Sequence, residues 1–535
     1  MRLSQHFGRT LREVPAEAML TSHQLILRAG LAHPHAPGLW SYLPLGWRVI
    51  RRIGAIWLEE MSAEGAEEVR LPASQAGPEV LANLCTHEVE SYKDLPRILC
   101  QSRPLTREEG RVRAGLFGVR ESLVAETFSL HAASADLEAA YRRLRQAHIR
   151  TFERCAVDAL PAEVDGGAAH AFMLPHAEGT ARIVRCGGCD YAAQFETAAF
   201  ERGGAFYGDP LPMEKVFTPG CKTITDLCVF LTIEPEQTLK VVFYTTDTEQ
   251  VVMLLLRGDL EASEAKVKQL LGVKALAAAT EEQISRTGAV AGYASPIGLA
   301  VQQASSLTGL LVIADESLRT MTNFATGANE TGYHMINANY PRDFSVTRMA
   351  DIAQPYDGAA CARCGGTLRV KNAFEIGRCM KPDTDTSQAV GATYLDEQSQ
   401  EQPIAIGHCW IELDRLLAAI VETHHDEQGI VWPRAVAPFE AHVVALAKEA
   451  ETGRVAEKLY ADLLAAGIEV LYDDRGLSPG VMFTDADLLG VPVRLTVSRR
   501  SLENGGVEVK RRNRPEREVV PLEEALTMLA AQTDA

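Results

Sequence analysis

The sequence is poor in aromatic residues, which make up 6% of its 535 residues, and it carries no net positive charge. Its formal net charge of -18 at pH 7 argues against a generally basic surface that coats nucleic acid. No apolar stretch approaches the length of a membrane span, and the polar N-terminus, MRLSQHFGRTLREV, has no apolar run of the signal-peptide type. Together with an odd number of cysteines, 11, these absences predict a reducing compartment, and we expect a cytoplasmic protein.

The rest of the composition is that of a large soluble enzyme. At 46% hydrophobic and 23% charged residues, the chain can bury several cores, and we expect three or four domains. One local basic cluster lies near the C-terminus and consists of Lys510, Arg511, Arg512, Arg514 and Arg517. It can contact phosphates or form a solvated turn, and the sequence leaves both open.

Two short cysteine pairs, Cys186-Gly-Gly-Cys189 and Cys361-Ala-Arg-Cys364, enclose a long middle stretch. A Cys-x2-Cys turn presents two thiolates to a tetrahedral metal, and two such turns complete a four-sulfur structural zinc site. A zinc site would mean that a whole domain is inserted between the halves of one knuckle. The alternative is a pair of reduced turns without metal.

Periodic patterns predict the elements around this insert. A helix is expected over 22–30, ended by Gly30, and a long amphipathic helix over 46–63, followed by a strand over 67–72 that Pro72 stops. A further amphipathic helix is expected within 132–160, and the Gly/Pro-rich stretch 203–212 is typical of a linker.

The middle and the end of the chain favour alternating strands and helices. We predict strands over 239–244, 251–256 and 310–314 with a helix over 261–271 in the middle stretch. After the second cysteine pair an apolar helix is expected over 416–422. Strands over 441–446 and 469–472, with a helix over 455–466, predict a final α/β domain.

The order of a long helix followed by a strand that ends in proline resembles motif 1 of the class II aminoacyl-tRNA synthetases. The words SHQLILRAG, LPLGWRV and EEM…GAEEVRLP resemble those of bacterial-type prolyl-tRNA synthetases. The resemblance covers nearly the whole chain. It implies an α+β class II catalytic core, with an antiparallel sheet and helices, an inserted α/β editing domain and a C-terminal α/β anticodon-binding domain. It also implies a homodimer formed through motif 1. Without the resemblance, the helix and strand of motif 1 would have no assignable role.

The amino-acid pocket of the family contains a THEE segment, which Thr86-His87-Glu88 resembles. By resemblance, Thr86 and Glu88 bind the ammonium group of proline through charge-assisted hydrogen bonds. Val89 replaces the second acidic residue of the family. Taken as a bare tripeptide, this segment is more often a surface turn than a site.

Motif 2 of the family is a hairpin. Two segments of this chain resemble it: Thr106-Arg107-Glu108-Glu109, and a return strand that ends in Phe128-Ser129-Leu130-His131. The resemblance makes Arg107 a contact of the α-phosphate of ATP, Glu109 a contact of the adenine amino group and His131 a substrate-binding residue. A guanidinium suits this role because attack on the α-phosphorus builds charge on phosphate oxygens.

The segment from Ile406 to Arg415 resembles motif 3 of the family. In this comparison Arg415 matches the arginine that binds ATP on the side opposite to the motif 2 arginine. Three positions depart from the family. Ser122 stands where an adenine-stacking phenylalanine is expected, and Trp410 and Glu412 replace two glycines that let the nucleotide approach the backbone. A carboxylate near a triphosphate lowers affinity unless Mg²⁺ lies between them.

Two further segments match the family in part. Gly166-Gly167-Ala168-Ala169-His170-Ala171-Phe172 resembles the glycine-led SHEF segment, which makes His170 a substrate-binding candidate. A lone loop histidine is more often a structural hydrogen-bonding residue than a catalyst. In the segment 371–378, Arg378 stands in place of the family's histidine.

The resemblance is strongest in the insert, where TLKVV, RGDLEASEAKVKQLLG, GYASPIGL, VIADESLRTMTNFATGANETGYH and YPRDF resemble the editing domain of bacterial prolyl-tRNA synthetases. By resemblance, Lys240 holds the 3′ end of the tRNA and the loop from Gly292 to Pro296 lies beside the scissile ester. Asp315 and His334 position the aminoacyl group, and water aided by a tRNA hydroxyl performs the hydrolysis.

These residues predict four segments: a catalytic core in 1–212 and 348–433, an editing domain in 213–347 and an anticodon-binding domain in 434–535. The expected function is ATP- and Mg²⁺-dependent attachment of proline to tRNA(Pro) through prolyl-adenylate, with hydrolysis of misacylated Ala-tRNA(Pro). Editing is needed because missing methylene contacts discriminate a smaller residue by only about 1–3 kcal/mol.

A second function stays open, because the positions that depart from the family lie in the ATP site while the editing residues all match. The chain would then be a synthetase-like paralogue that has lost proline activation and acts as a tRNA-editing hydrolase. A tRNA-binding regulator without catalysis is a weaker third possibility.

Overall fold

The computed structural model describes residues 1–14, 18–72, 77–106, 114–132, 137–204, 208–302, 309–446 and 449–530. The chain divides into two compact units. Unit 1 comprises Met1–Leu160, Ala171–Leu174 and Phe374–Ala535, and unit 2 comprises Pro161–His170 and Pro175–Ala373. Unit 2 extends beyond 213–347 on both sides, so it contains both cysteine pairs. The division into four segments stays a prediction.

The described residues form α-helices at α1 (Thr21–Arg28), α2 (Pro44–Ala63), α3 (Gly77–Glu88), α4 (Leu137–Arg154), α5 (Ile224–Leu231), α6 (Glu264–Leu271), α7 (Glu281–Arg286), α8 (Asp385–Val390), α9 (Leu413–Thr423), α10 (Ala450–Ala465), α11 (Pro479–Leu489), α12 (Arg499–Glu503) and α13 (Leu522–Ala530). No helix in these ranges is long and apolar enough to cross a membrane.

The strands before the second cysteine pair are β1 (Ala32–Ala36), β2 (Leu39–Tyr42), β3 (Glu67–Glu68), β4 (Arg97–Thr106), β5 (Glu121–His131), β6 (Leu160–Val164), β7 (Ala169–Pro175), β8 (Ala181–Cys186), β9 (Ala192–Gln194), β10 (Phe200–Glu201), β11 (Glu214–Phe217), β12 (Leu239–Thr246), β13 (Val251–Arg257), β14 (Leu276–Ala278), β15 (Leu311–Asp315), β16 (Phe324–Gly327), β17 (Tyr333–Ala338) and β18 (Arg348–Ala350).

The remaining strands are β19 (Ala360–Cys361), β20 (Leu368–Asp383), β21 (Thr393–Leu395), β22 (Glu401–Pro403), β23 (Ala405–Glu412), β24 (His425–Asp426), β25 (Gly429–Ile430), β26 (Ala441–Ala445), β27 (Val470–Asp473), β28 (Val493–Val497), β29 (Val507–Arg511) and β30 (Arg517–Val520).

Helix α2 confirms the predicted long amphipathic helix. Pro44 lies in its first turn, where the missing N–H has no partner to lose. Val49, Ile50, Ile53 and Trp57 recur at spacings of three and four and are buried in the main core of unit 1. The strand predicted over 67–72 is shorter, since β3 contains only Glu67–Glu68.

The central sheet of unit 1 has the strand order β3-β4-β5-β23-β20. Its pairs are antiparallel except for the parallel pair of β3 and β4. Strands β4 and β5 form the predicted motif 2 hairpin, with Arg97 opposite Leu130 and Thr106 opposite Glu121. Helix α9 follows β23 directly, and most of its side chains are buried, which confirms the apolar helix predicted after motif 3.

The C-terminal part of unit 1 is an α/β domain with its own core. Its five-stranded sheet has the order β27-β26-β28-β29-β30, in which β26 is parallel to both of its neighbours. The predicted strands over 441–446 and 469–472 are confirmed as β26 and β27. The helix predicted over 455–466 begins earlier, at Ala450.

Unit 2 contains a mixed five-stranded sheet of order β14-β12-β13-β15-β18 and an antiparallel three-stranded sheet of order β11-β17-β16. The predicted strands over 239–244, 251–256 and 310–314 correspond to β12, β13 and β15. Strand β13 is buried on both faces, because Leu254 and Leu256 belong to one core and Met253 and Leu255 to another. An all-apolar strand of this kind is typical of the centre of a covered sheet.

Strand β20 enters unit 2 with its first residues, which pair with β8 from Ala373 opposite Ala181 to Leu368 opposite Cys186. This register places the first cysteine pair, at the end of β8, beside the segment that carries the second pair. Cys186 and Cys361 are buried in the same core as Leu254, so the cysteine pairs and the five-stranded sheet share one core.

Candidate functional site

A cavity of about 320 Å³ lies in unit 2. Strand β12 supplies Lys240 to its lining, β17 supplies His334, and the segment before α5 supplies Lys222. The loop before Pro296 supplies Gly292. The structure therefore brings three of the predicted editing residues, Lys240, Gly292 and His334, to one cavity.

His334 is 5% exposed, and its Nδ1 lies 2.6 Å from the hydroxyl of Thr218, which is fully buried. Burial lowers the pKa of His334, so the imidazole is neutral at pH 7. The Thr218 contact fixes the ring orientation, and the Tyr293 ring lies 5.4 Å from it, centroid to centroid. His334 is thus an uncharged polar group held in one orientation at the cavity wall.

The loop that contains Gly292 is held by Asn329. The Asn329 side chain accepts a hydrogen bond from the Ser295 amide at 2.9 Å and donates to the carbonyls of Ser295 and Ile297 at 3.0 Å. Gly292 has a φ of 80°, in the left-handed region that favours glycine. Pro296 follows this turn as a buried residue, and it is not among the described residues that line the cavity.

Strand β16 approaches this loop so closely that only glycine fits at Gly327. A Cβ atom there would lie 2.1 Å from the carbonyl oxygen of Tyr293 and 2.3 Å from that of Ala294. The contact places the backbone of β16 directly against the loop and sets the width of the cavity at this wall.

Lys240 makes strong contacts with its own unit. Its ammonium group donates to the carbonyl of Leu260 and to the carboxylate of Glu261, both at 2.7 Å. The side chain is 18% exposed. The positive charge of Lys240 is therefore already compensated where the chain meets the cavity.

Asp315 does not lie in the lining of the cavity that the described residues form. It is fully buried and accepts hydrogen bonds from Arg202 at 3.0 and 2.9 Å and from the amides of Ser317, Ile352 and Ala353. Burial acts to raise the pKa of Asp315, but Arg202 and the amide donors outweigh it, and the pKa is lowered. Asp315 is a charged anchor that joins β15 to neighbouring segments.

Three residues near the cavity were not predicted from the sequence: Thr218, Lys222 and Asn329. Thr223 and Asp226 form a capping box at the start of α5, and this pattern can be recognised in the sequence. It marks where the helix begins, but it carries no information about the cavity that lies beside it.

In unit 1, the predicted ATP-binding residues Arg107 and Glu109 lie outside the described residues. Arg415 lies in the first turn of α9. Its Nε lies 3.0 Å from a carboxylate oxygen of Glu412, and its Nη1 donates to the carbonyl of Glu375 at 2.8 Å. The side chains of Arg415 and Glu412 are 13% and 3% exposed, so the ion pair is largely buried. Glu412 therefore compensates the charge of the arginine that is predicted to bind ATP.

Ser122 and Asp414 complete this cluster. The Ser122 hydroxyl lies 2.6 Å from Asp414 and 3.4 Å from Glu412, and the Leu123 amide donates to Asp414 at 2.6 Å. Tyr42 also donates to Asp414. Burial raises the pKa of Asp414 against the effect of these donors. Two positions that depart from the family, Ser122 and Glu412, are thus in contact.

The predicted proline-binding residues Thr86 and Glu88 lie in the last turn of α3 and are exposed. The Thr86 hydroxyl donates to the carbonyl of Asn83 at 2.7 Å, which is an ordinary contact within a helix. His131 ends β5 opposite Ala405 and is 3% exposed. His170 lies in β7 within unit 2 and is partly exposed.

The four cysteines come together. The Sγ atoms of Cys186, Cys189, Cys361 and Cys364 all lie within 4.8 Å of one another. Cys186 is 3.5 Å from Cys364, and Cys189 is 3.9 Å from Cys361, sulfur to sulfur. A tetrahedral zinc site with zinc–sulfur bonds of about 2.3 Å has sulfur–sulfur distances of about 3.8 Å.

Backbone amides also point at these sulfurs. The amide of Gly188 donates to Cys186 at 3.3 Å, that of Arg363 to Cys361 at 3.4 Å and that of Gly366 to Cys364 at 3.4 Å. Such donors stabilise negative charge on thiolates. The spacing and the donor set therefore fit a tetrahedral four-thiolate zinc site.

Comparison with known proteins gives two family matches and a set of full-length relatives. Residues 218–343 match the aminoacyl-tRNA editing domain family, and residues 436–532 match the anticodon binding domain family. A proline--tRNA ligase of Dehalococcoides mccartyi is 38% identical over 577 aligned positions, covering 100% of both chains. The chain belongs to the proline--tRNA ligase family. The relatives from Moorella thermoacetica (38% identity, 98% of this chain and 97% of the relative) and Citrifermentans bemidjiense (39%, 99% of each) agree.

A solved structure supports the fold. Prolyl-tRNA synthetase from Cryptosporidium parvum, in complex with halofuginone and AMPPNP, is similar with a TM-score of 0.51 and 12% sequence identity. The similarity covers 98% of this chain and 80% of that chain. The predicted family and fold class are confirmed. The cavity residues Lys222, Lys240, Gly292 and His334 all fall within the editing-domain match, as does Thr218, which contacts His334.

Proposed function

We propose that the protein attaches proline to tRNA(Pro) through a prolyl-adenylate formed from ATP, and hydrolyses alanine that is wrongly attached to the same tRNA. The observation that carries this proposal is full-length identity of 38–39% to proline--tRNA ligases. The match to an aminoacyl-tRNA editing domain supports the second activity.

For activation, the carboxylate of proline attacks the α-phosphorus of ATP, and pyrophosphate leaves. Arg107 and Arg415 are proposed to stabilise the charge on the phosphates, and Glu109 to bind the adenine amino group. Thr86, Glu88, His131 and His170 are proposed to shape the amino-acid side of the site. Mg²⁺ is the expected counter-ion of the triphosphate, and it would offset the nearby carboxylate of Glu412.

For editing, the alanyl ester enters the cavity of about 320 Å³ in unit 2. Water adds to the ester carbonyl carbon, the bond from that carbon to the ribose oxygen breaks, and the ribose oxygen takes up a proton. The loop from Gly292 to Pro296 offers backbone amides near the ester, and neutral His334, held by Thr218, orients the aminoacyl group. Selectivity for alanine requires that the part of the cavity that receives the aminoacyl side chain excludes the larger proline.

For the cysteine cluster, we propose structural zinc held by Cys186, Cys189, Cys361 and Cys364. The tetrahedral spacing of the sulfurs and their amide donors support it. The ion would fix the two ends of the segment between the cysteine pairs to each other. Because all four positions are thiolates, this site is closed and has no catalytic role.

Homodimer formation and a cytoplasmic location are proposed from the family resemblance. The predicted dimer motif begins with α2, which presents Trp47 with 44% of its surface exposed. Sedimentation velocity of the full chain measures the assembly state, and a monomer at micromolar concentration would contradict the proposed dimer.

Two assays on one preparation test the two activities. Charging of tRNA(Pro) with labelled proline is expected, as is release of alanine from preformed Ala-tRNA(Pro). His334→Ala is expected to abolish the release and to leave charging intact, because His334 belongs to unit 2, whereas the residues proposed to bind ATP belong to unit 1. Equal release by wild type and variant would remove His334 from the editing site.

A further inference from the structure

The lysines that line the editing cavity, Lys222 and Lys240, differ in their partners. Lys240 is bound to Glu261 and to the carbonyl of Leu260, both at 2.7 Å. Lys222 is exposed, and its ammonium group has no hydrogen-bond or ion-pair partner among the residues that the structure describes. An uncompensated ammonium at the edge of a cavity is a binding group for an anion.

The neighbouring carboxylate does not neutralise Lys222. Asp226 lies four residues along the chain, but its carboxylate accepts hydrogen bonds from the hydroxyl of Thr223 at 2.7 Å and from the Thr223 amide at 3.4 Å. This capping box keeps Asp226 at the start of α5. It also fixes the backbone directly after Lys222, while Cys221 before it is buried.

The aliphatic part of the Lys222 side chain lies along the Gly292 loop of the editing cavity. A Cβ atom built on Gly292 would lie 3.4–3.6 Å from the Cγ, Cβ and Cδ atoms of Lys222. The lysine stem therefore packs beside Gly292, in the loop proposed to face the ester, while its ammonium stays in solvent at the edge of the cavity.

We propose that Lys222 binds the 5′-phosphate of the terminal nucleotide of the aminoacyl-tRNA whose ester lies in the cavity. The inference rests on the proposed editing function. In such a substrate this phosphate and the ester belong to the same nucleotide. The cavity therefore has to accommodate the ester while its edge accommodates the phosphate. The compensated charge of Lys240 contributes less to phosphate binding than the free charge of Lys222. Lys222 is thus a substrate-binding residue that positions the ester and takes no part in bond breaking.

A matched pair of ligands tests the inference with full-length protein. Both are 3′-amino-3′-deoxyadenosine carrying alanine through a stable amide, one with a 5′-phosphate and one without. Wild type is expected to bind the phosphorylated ligand about tenfold more tightly, as for a hydrogen bond between charged groups. Lys222→Met is expected to bind the two ligands equally and to bind the unphosphorylated ligand as wild type does.

Lys215→Met is the matched control, since it also removes one lysine from unit 2. Lys215 pairs with Met335 next to the pair of Val216 and His334, so it lies on the opposite face of the sheet from His334. This control is expected to keep the preference for phosphate. A phosphate preference that survives in Lys222→Met, or that is lost only in Lys240→Met, overturns the inference.

The amide ligands cannot be hydrolysed, so this result is independent of the proposed activity. Hydrolysis of Ala-tRNA(Pro) by wild type is measured in parallel. If wild type binds with a phosphate preference that depends on Lys222 but releases no alanine, the editing function fails and the binding role of Lys222 stands. Absence of any phosphate preference in wild type overturns the inference, whether or not alanine is released.

Discussion

At the scale of residues, the ion pair of Glu412 with Arg415 is the feature that bears most directly on the proposed ATP binding. The family resemblance gives Arg415 a phosphate-binding role and gives the position of Glu412 a glycine. In this chain the carboxylate lies 3.0 Å from the guanidinium. In its proposed role at the phosphates of ATP, Arg415 would be shared between the nucleotide and a carboxylate of the same sign of charge, which opposes binding.

Replacing Glu412 with glutamine keeps the size of the side chain and removes its charge. We expect the KM for ATP in proline-dependent pyrophosphate exchange to fall about tenfold, which is about 1.4 kcal/mol of binding free energy. Glu375→Gln is the control, because the Glu375 side chain pairs with Arg378, while its backbone carbonyl accepts the hydrogen bond from Arg415. A KM for ATP that is unchanged or higher in Glu412→Gln would show that the carboxylate does not oppose the nucleotide.

His442 is a buried histidine whose neutral form the fold requires. It lies in β26, an interior strand of its sheet, with 1% exposure, and neither ring nitrogen has a hydrogen-bond partner among the described residues. Burial lowers its pKa to about 4. Because the unfolded chain binds the proton more readily, with a pKa of about 6.5, the folded state is fully stable above pH 6.5 and loses stability as the pH falls toward 4.

The expected loss from His442 is roughly 3 kcal/mol at pH 4, at about 1.4 kcal/mol per pKa unit. In His442→Gln the melting temperature should therefore fall less between pH 6.5 and pH 4.5 than in wild type. His87→Gln, which changes an exposed histidine, serves as the control. Parallel pH profiles for wild type and His442→Gln would contradict the assigned protonation state.

At the level of elements, the close contact of strand β16 with the Gly292 loop shapes the editing cavity. Gly327→Ala would place a Cβ atom 2.1 Å from the Tyr293 carbonyl oxygen, so the loop or the strand has to move. We expect hydrolysis of Ala-tRNA(Pro) to fall at least tenfold, because overpacking of this kind costs about 1–3 kcal/mol. Pyrophosphate exchange, whose proposed ATP-binding residues belong to unit 1, is expected to stay within twofold of wild type.

Gly208→Ala is the matched control for that substitution. It lies in the same unit, and among the described residues its added Cβ atom would meet only the side-chain amide nitrogen of Asn323, at 3.8 Å. Wild-type hydrolysis is expected. If Gly327→Ala hydrolyses Ala-tRNA(Pro) as wild type does, the wall formed by β16 does not define the cavity.

The elements that the sequence predicts well are those with a strong local period. Apolar residues in helix α2 recur at spacings of three and four positions, and β13 is a short apolar run. Both elements can therefore be located from local patterns. The predicted strand after α2 is shorter than expected, because the ladder with β4 contains only Glu67 and Glu68, and Val69 adds a single amide hydrogen bond to the Cys100 carbonyl.

The cavity depends on contacts that no local pattern encodes. Thr218 and His334 are 116 residues apart in the chain and 2.6 Å apart in the fold. Asp315 matches the family motif, yet its side chain points to Arg202 and the backbone amides of 352 and 353. Only the pairing of strands far apart in sequence decides which face each side chain occupies.

For the whole molecule, the cysteine cluster determines whether the segment between the pairs has fixed ends. We expect about one zinc ion per chain in metal analysis of the purified protein. The double variant Cys186→Ser/Cys361→Ser should contain none, and its unit 2 should melt at a lower temperature, because both cysteines belong to the core that contains Leu254.

Cys228→Ser is the control for the metal analysis. Cys228 lies in α5 within unit 2 and is not one of the four clustered cysteines. Its variant is expected to keep zinc at the wild-type level. A native protein that contains no zinc when purified without chelators would show that the two cysteine pairs are plain turns.

The central claim is that this chain both activates proline and edits alanine. The most direct test is proline-dependent exchange of labelled pyrophosphate into ATP by the full-length protein, because only formation of prolyl-adenylate produces it. Exchange that requires proline is expected. Absence of exchange at saturating ATP and proline, with continued release of alanine from Ala-tRNA(Pro), would contradict it and identify the chain as an editing hydrolase on a synthetase scaffold.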